Sequence, residues 1–246
     1  MNDSHTVFGI HAVEALLQRQ SNQIEMLWLQ QGRADERMQS LAEHARALGI
    51  RCEQLPRDEL DKKVEGSHQG VIALCKPAQV LRERDLVAIL EALEKPPLLL
   101  ILDGVTDPHN LGACLRSADA AGVDAVIAPK DNSASLNATV RKVACGAAEV
   151  VPFIQVTNLV RTMKDLQQRG VWITGTTGDA EQGLFEADLR GPVALVMGAE
   201  GKGMRRLTTE HCDYLVKLPM AGSVSSLNVS VATGISLFEI VRQRGL

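Results

Sequence analysis

From residue 98 onward the chain repeats a pattern that leaves few folds open. Continuously apolar runs of strand length recur at 98–102, 125–128, 150–154, 171–174, 193–197 and 214–218. Segments of helical spacing, 111–121, 136–148, 159–169 and 227–244, lie between most of them. A strand that is apolar at every residue has to be covered on both faces, and helices crossing between strands supply the two covers. The pattern predicts a parallel α/β sheet. In such sheets ligands sit at the carboxyl ends of the strands, so the loops that follow the apolar runs are where chemistry is expected.

The first 75 residues form a smaller alternating unit. Helical spacing at 10–18 and 35–48 alternates with strand-like segments at 24–29, 50–54 and 71–75, and Gly49 stops the second helix. Residues 76–97 are charge-dense, carry an apolar stretch at 86–93 and end in Pro96-Pro97, which reads as a linker with a short helix. The division is therefore 1–75, a linker at 76–97, and 98–246.

Composition bounds the function. Hydrophobic residues make up 45% and charged residues 23% of the 246, a core-forming balance that excludes disorder, collagen-like repeats and coiled coil. The net charge is −4 and the pI near 5.9, whereas a protein that coats nucleic acid by bulk charge is basic. Four Phe, two Trp and one Tyr are too few for a base-stacking platform. Any nucleic-acid contact has to be local and site-selective, with a weak salt dependence. Two basic clusters are candidates: Arg141-Lys142, and Lys202 with Arg205-Arg206. The first residues lack a signal-peptide pattern, and no run approaches the ~18 apolar residues of a membrane helix, so a cytoplasmic protein is expected. Cys52, Cys75, Cys114, Cys145 and Cys212 are odd in number and never in a C-x-x-C pair. They read as small buried hydrophobes in a reducing compartment, with neither disulfides nor a metal site expected.

Three loops carry polar and glycine residues. In the first, Asp103-Gly-Val-Thr-Asp107-Pro-His-Asn110-Leu-Gly112, Asn110 is placed to cap the following helix. Arg116 follows on that helix, beside the small residues Gly112 and Ala113. A cap and a surface ion pair account for both residues as well as a functional role does. The second, Met197-Gly198-Ala-Glu200-Gly201-Lys-Gly203-Met204, allows close backbone approach to a ligand. It matches neither the phosphate-loop nor the dinucleotide fingerprint. Glu200 there is either functional or a partner for turn amides. The third, Leu218-Pro-Met220 through Ser226-Leu227-Asn228, leads into the last helix, which Ser225 or Ser226 can cap. No G-x-S-x-G elbow occurs.

Together and in this order, the three segments resemble the three sequence motifs of the SpoU branch of the SPOUT RNA methyltransferases. Phe8-Gly9-Ile10-His11-Ala12-Val13 and His68-Gln69-Gly70-Val71 extend the resemblance to the substrate-binding domain that precedes the catalytic one in this group. The resemblance implies an α/β parallel-sheet domain with a deep trefoil knot, preceded by a small ribosomal-protein-like RNA-binding domain. It implies S-adenosylmethionine held through Thr176, Gly198, Gly201, Leu218, Met220, Ser226 and Leu227. It implies Arg116 as the first catalytic candidate, with Asn110, Glu200, Ser226 and Asn228 positioning it and the ribose. It further implies a homodimer, with Arg116 acting across the interface, and 2′-O-methylation of a guanosine in the peptidyl-transferase loop of 23S ribosomal RNA. Methylation of a tRNA ribose is the alternative, and a non-catalytic RNA-binding or ribosome-assembly factor on the same fold is the less favoured one.

A sulfonium donor needs no metal, and the difficulty lies with the 2′-hydroxyl, a poor nucleophile until its proton is removed or its lone pair aimed. An arginine, whose pKa lies above ~12, is a poor base. The preferred reading has Arg116 orient the ribose or its phosphate and stabilise developing charge, with the proton leaving late or through Glu200.

Overall fold

The computed structural model describes residues 5–33, 35–76 and 81–245. The chain divides into two compact units, residues 1–79 with 145–150, and residues 80–144 with 151–246.

The first unit holds β1 (His5–Phe8), α1 (Ile10–Arg19), β2 (Ile24–Gln30), α2 (Glu36–Ala47), β3 (Cys52–Leu55), α3 (Arg57–Asp61) and β4 (Val71–Cys75). Its sheet runs in the order β1-β4-β2-β3, with β2 and β3 parallel and the other pairs antiparallel. Val13 and Leu16 of α1 and Ala45 of α2 pack on Leu27, Val71 and Ala73 of the strands. Asp35 starts α2 by accepting from Met38 N at 3.2 Å, and Gly49, at φ +73°, ends it as expected. The two amino-terminal sequence motifs lie side by side. Gly9 N donates to Val71 O at 3.2 Å, and Gln69 Oε1 accepts from Ile10 N at 3.1 Å, supplying the first turn of α1 with a cap. His68 is buried, with Nδ1 accepting from Gly70 N at 3.0 Å and Nε2 donating to Asp61 at 2.9 Å. In this unit these motif residues form a structural corner.

The second unit begins with α4 (Glu83–Glu91), where the short helix of the linker was expected. Linker residues 77–80 lie outside the described residues. It continues with β5 (Leu98–Asp103), α5 (Pro108–Ala120), β6 (Ala125–Pro129) and α6 (Ala138–Ala144). After α7 (Ala147–Val150), which groups with the first unit, come β7 (Phe153–Val156), α8 (Leu159–Gln168), β8 (Trp172–Thr176) and β9 (Gln182–Gly183). The last elements are β10 (Val193–Gly198), α9 (Arg206–Glu210), β11 (Tyr214–Lys217) and α10 (Val229–Arg244).

All seven strands of this sheet pair in parallel, in the order β7-β6-β5-β10-β8-β11-β9. Every residue of β5 and β6 is buried, as continuous apolarity requires. From β5 the chain first builds outward through β6 and β7, then returns to lay β8, β10 and β11 on the other side. The change of direction falls between β5 and β10, which opens a crevice at their carboxyl ends.

Three local expectations are corrected. The helix expected at 136–148 is broken at Cys145 (φ +52°) and Gly146 (φ +98°), so the next strand begins at Phe153 rather than at 150. Asn110 does not cap α5: Asp107 does, accepting from His109 N at 3.1 Å, with Pro108 in the first turn where its missing N–H costs nothing. Neither Ser225 nor Ser226 caps α10. That role falls to Asn228. Cysteine burial is also more mixed than expected, because Cys75 and Cys114 are buried, Cys52 and Cys212 half-buried, and Cys145 exposed.

Candidate active site

Four loops follow the carboxyl ends of the adjacent strands β5, β10, β8 and β11, and the three motifs lie along them and the strand ends and helix starts they join, with Arg116 further along α5. At their centre is Asn228. Its Nδ2 donates to Asn110 Oδ1 at 2.9 Å and to Glu200 Oε1, joining the first, second and third motifs through one amide. Its Oδ1 accepts from Ser230 N (2.9 Å), Ser230 Oγ (2.6 Å) and Val231 N (3.4 Å), which fixes the amide's orientation. Glu200 Oε1 also accepts from Val229 N at 3.3 Å, so this carboxylate sits on the amino-terminal turn of α10, where the helix dipole favours negative charge. Both bonds engage Oε1, and Oε2 takes part in neither. Asn110 is buried, whereas Glu200 and Asn228 are exposed.

Arg116 stands on an exposed position of α5. It is six residues beyond Asn110, which at ~100° per residue places it about 120° around the helix from that residue. Gly112, on the Arg116 side, faces α6: a Cβ there would meet Val143 Cβ at 2.7 Å and Val140 O at 2.9 Å. Its smallness serves helix packing.

The glycine loop after β10 is closed by its own backbone. Ala199 N donates to Gly203 O at 3.0 Å and Gly203 N to Ala199 O at 2.8 Å, with Gly201 and Gly203 at φ +73° and +66°. A Cβ on Gly198 would come within 2.2 Å of Gly203 C and Met204 N. Gly198 is thus glycine because the loop folds back over it. Gly201, by contrast, has open space where a Cβ would stand. The Thr176 hydroxyl donates to Val196 O at 3.0 Å and contacts Met197 Sδ at 3.3 Å, tying the end of β8 to β10.

The third loop is irregular. Among the described residues, no main-chain hydrogen bond outside helices and strands involves a backbone group of residues 218–227. Leu218, Met220 and Leu227 are half-buried while Ser226 and most of the loop are exposed. Unpaired main-chain donors and acceptors beside half-buried apolar side chains suit a ligand with a polar edge and a flat apolar body, read through the backbone. The residues present therefore fit an adenosine-bearing cofactor.

Sequence reasoning missed Asp103, which the structure buries at the carboxyl end of β5, and Asp107, the helix cap. The signal for Asp103 was present: a carboxylate closing a run of five aliphatic residues. The second basic cluster is largely neutralised, because Arg205 pairs with Asp103 and Arg206 with Glu210, each at 2.6 Å, leaving Lys202 exposed in the loop. A cavity of 390 Å³ lies elsewhere, at the amino-terminal ends of β8, β10 and β11 between Trp172, Tyr214 and Leu189. It contains no motif residue.

This crevice and its three-motif cluster define a class. The sequence profile of the SpoU rRNA Methylase family matches residues 97–238, and that of the RNA 2′-O ribose methyltransferase substrate-binding family matches residues 6–81. The chain belongs to the SpoU rRNA methylase family. It is 64% identical to the 23S rRNA (guanosine-2′-O-)-methyltransferase RlmB of Pseudomonas aeruginosa, covering 99% of this chain and 98% of that protein. It is 58% identical to RlmB of Escherichia coli, covering 98% and 99%. Among solved structures, the AdoMet-bound rRNA methyltransferase from Sinorhizobium meliloti superposes with a TM-score of 0.71 at 25% identity, over 97% of this chain and 87% of that one.

Proposed function

We infer that the protein transfers a methyl group from S-adenosylmethionine to the 2′-oxygen of a guanosine ribose in 23S ribosomal RNA. Relatives that align over essentially the full length carry this reaction in their names, and the observation that carries it to this chain is the Asn110–Asn228–Glu200 cluster. The finer target, the peptidyl-transferase loop, belongs to the same proposal. So do the threading of the last segment as a trefoil knot, a cytoplasmic location and the division of labour between RNA binding at 1–75 and methyl transfer at 98–246. Among the described residues no helix is long and apolar enough to cross a membrane.

Thr176, Gly198, Gly201, Leu218, Met220, Ser226 and Leu227 are proposed to hold the cofactor, which supplies a sulfonium methyl as the electrophile. The chain's own residues make the 2′-hydroxyl a competent nucleophile. Glu200 is held by Asn228 and Val229 through one oxygen, and we assign the 2′-proton to the other, Oε2. Asn110 keeps Asn228 in register. Arg116 orients the ribose or its phosphate and stabilises charge that develops on the oxygen.

A homodimer is supported by Val231, Ile235 and Phe238 of α10, which are 50%, 37% and 50% exposed. Spaced i, i+4, i+7, they form an apolar stripe on a helix whose other face is buried. The action of Arg116 at the partner's site belongs to the same proposal.

Incubation with methyl-labelled cofactor and either protein-free 23S rRNA or total tRNA tests the function. Label in 23S rRNA, mapped to a guanosine 2′-oxygen, is expected; label in tRNA alone would refute it.

A further inference from the structure

Asp103 and Arg205 stand outside the residues assigned above, yet they meet at the base of the glycine loop. Asp103 is the last residue of β5, and its register partner in β10 is Gly198, the residue at which the loop departs. Asp103 Oδ2 accepts from Arg205 N at 2.8 Å, while Oδ1 accepts from Arg205 Nε at 2.6 Å and lies 2.6 Å from Nη2. The Asp103 side chain is fully buried and that of Arg205 is half-exposed. The 198–205 loop thus departs from the strand position beside Asp103, and its return is fixed at the Asp103 carboxylate. Burying that charge is costly unless it is paired and hydrogen-bonded, and here backbone and guanidinium together do so.

We propose that Asp103 and Arg205 form a latch that presents the glycine loop to the cofactor, and that Arg205 is a positioning residue rather than an RNA-phosphate contact. The inference rests on the cofactor placement proposed above. The latch acts on the loop backbone around Gly198 and Gly201. The Glu200 carboxylate is separately held by α10, so loosening the latch weakens cofactor binding more than turnover.

The test measures the dissociation constant for S-adenosylhomocysteine by calorimetry, RNA affinity across a salt series, and KM and kcat. The variants are Arg205→Ala, Arg205→Lys and the neutral pair Asp103→Asn/Arg205→Gln, which keeps an acceptor for the backbone amide if the unpaired carboxylate of Arg205→Ala prevents folding. Arg206→Ala, which removes a charge one residue away, is the control. The latch predicts a dissociation constant and a cofactor KM raised at least tenfold in Arg205→Ala or the neutral pair. It predicts kcat within about threefold, unchanged RNA affinity, partial recovery in Arg205→Lys, and a cofactor dissociation constant that Arg206→Ala leaves unaltered. Unchanged cofactor affinity with weaker RNA binding and a shallower salt slope would make Arg205 a phosphate contact and overturn the latch. Met220→Arg separates the two readings. If it abolishes cofactor binding while the Arg205 variants do not alter it, only the latch fails; if it has no effect, the cofactor placement fails and the latch with it.

Discussion

Asn228 and Asn110, 118 residues apart, meet through an amide–amide hydrogen bond of 2.9 Å, and the same Asn228 side chain caps α10 through its other atom. One residue therefore starts a helix and gathers the proposed catalytic cluster. The two roles use different atoms, so they can be separated. Asn228→Asp keeps the capping oxygen but turns the donor into an acceptor facing Glu200 and Asn110 Oδ1. Asn228→Ala removes both and loses a cap worth about 1 kcal/mol. We expect the Asp variant to keep the cap, while turnover falls roughly 100-fold through misplacement. Thermal melts and single-turnover rates on both variants check this, and full turnover by Asn228→Asp would dissociate the cluster from catalysis.

Gly198 and Gly201 belong to one loop but are glycine for different reasons. A methyl on Gly198 collides with backbone at 2.2 Å, which a side-chain rotation cannot relieve. Gly198→Ala is expected to destabilise by about 1–3 kcal/mol, the range for overpacking, and to lose most cofactor affinity as the loop lifts. Gly201→Ala has room, and carries only the cost of a left-handed backbone, about 1–2 kcal/mol. Denaturant titration with calorimetry for S-adenosylhomocysteine compares them, and a Gly198→Ala variant that loses no more cofactor affinity than Gly201→Ala would contradict the steric account.

These residues show what the sequence could and could not convey. The apolar runs were legible as a parallel sheet because strands such as β5 are buried along their whole length. Periodicity also found the ends of α1, α2 and α8 to within a residue or two. The break at Cys145 was not legible, since a positive φ at a non-glycine residue leaves no compositional mark. Asn110 and Ser226 were plausible caps by residue type. The choice of Asp107 and Asn228 instead depended on which side chain met the free amides in three dimensions. The pairing of Arg205 with Asp103 joins residues 102 apart, so the arginine looked like part of a basic patch until the fold placed a buried carboxylate beside it.

Acid sensitivity is expected to originate partly at Glu239 on α10. The Arg242 guanidinium, and then the Gln243 amide, hold its carboxyl down at about 2, against an ordinary 4.5. A folded-state pKa below the unfolded value gives stability that is present above about pH 4.5 and is lost as pH falls toward 2. Glu239→Gln should therefore flatten the melting-temperature profile between those limits and lower it above them. A profile parallel to wild type through that window would assign the acid loss to other carboxylates.

Thiol reactivity should divide by burial. Burial pushes the Cys114 thiol up to about 11 and the Cys212 thiol up to about 12. At pH 8 their thiolate fractions are on the order of 10⁻³ and 10⁻⁴, and the thiolate is the reactive form. Cys145 is exposed. An aromatic disulfide reagent should titrate one thiol quickly in the folded protein, and Cys145→Ser should remove that phase. A fast phase that survives the substitution would belong to the half-buried Cys52 or to a buried thiol reached through local opening.

The stripe of Val231, Ile235 and Phe238 allows the dimer and the trans role of Arg116 to be tested apart. Phe238→Glu places a charge in the proposed interface and should yield a monomer by sedimentation, with the fold intact because residue 238 is half-exposed in the single chain. Arg116→Ala and Asn228→Ala, each inactive alone, should then complement when co-expressed. A mixed dimer carries one site with both substitutions and one with neither if Arg116 acts across the interface. With random pairing half the dimers are mixed, so activity should return to about a quarter of wild type. If Arg116 serves the site on its own chain, every site in the mixture carries one of the two lesions and activity stays at the level of the parent variants. A dimer without complementation would retain the stripe as an interface and return Arg116 to its own active site.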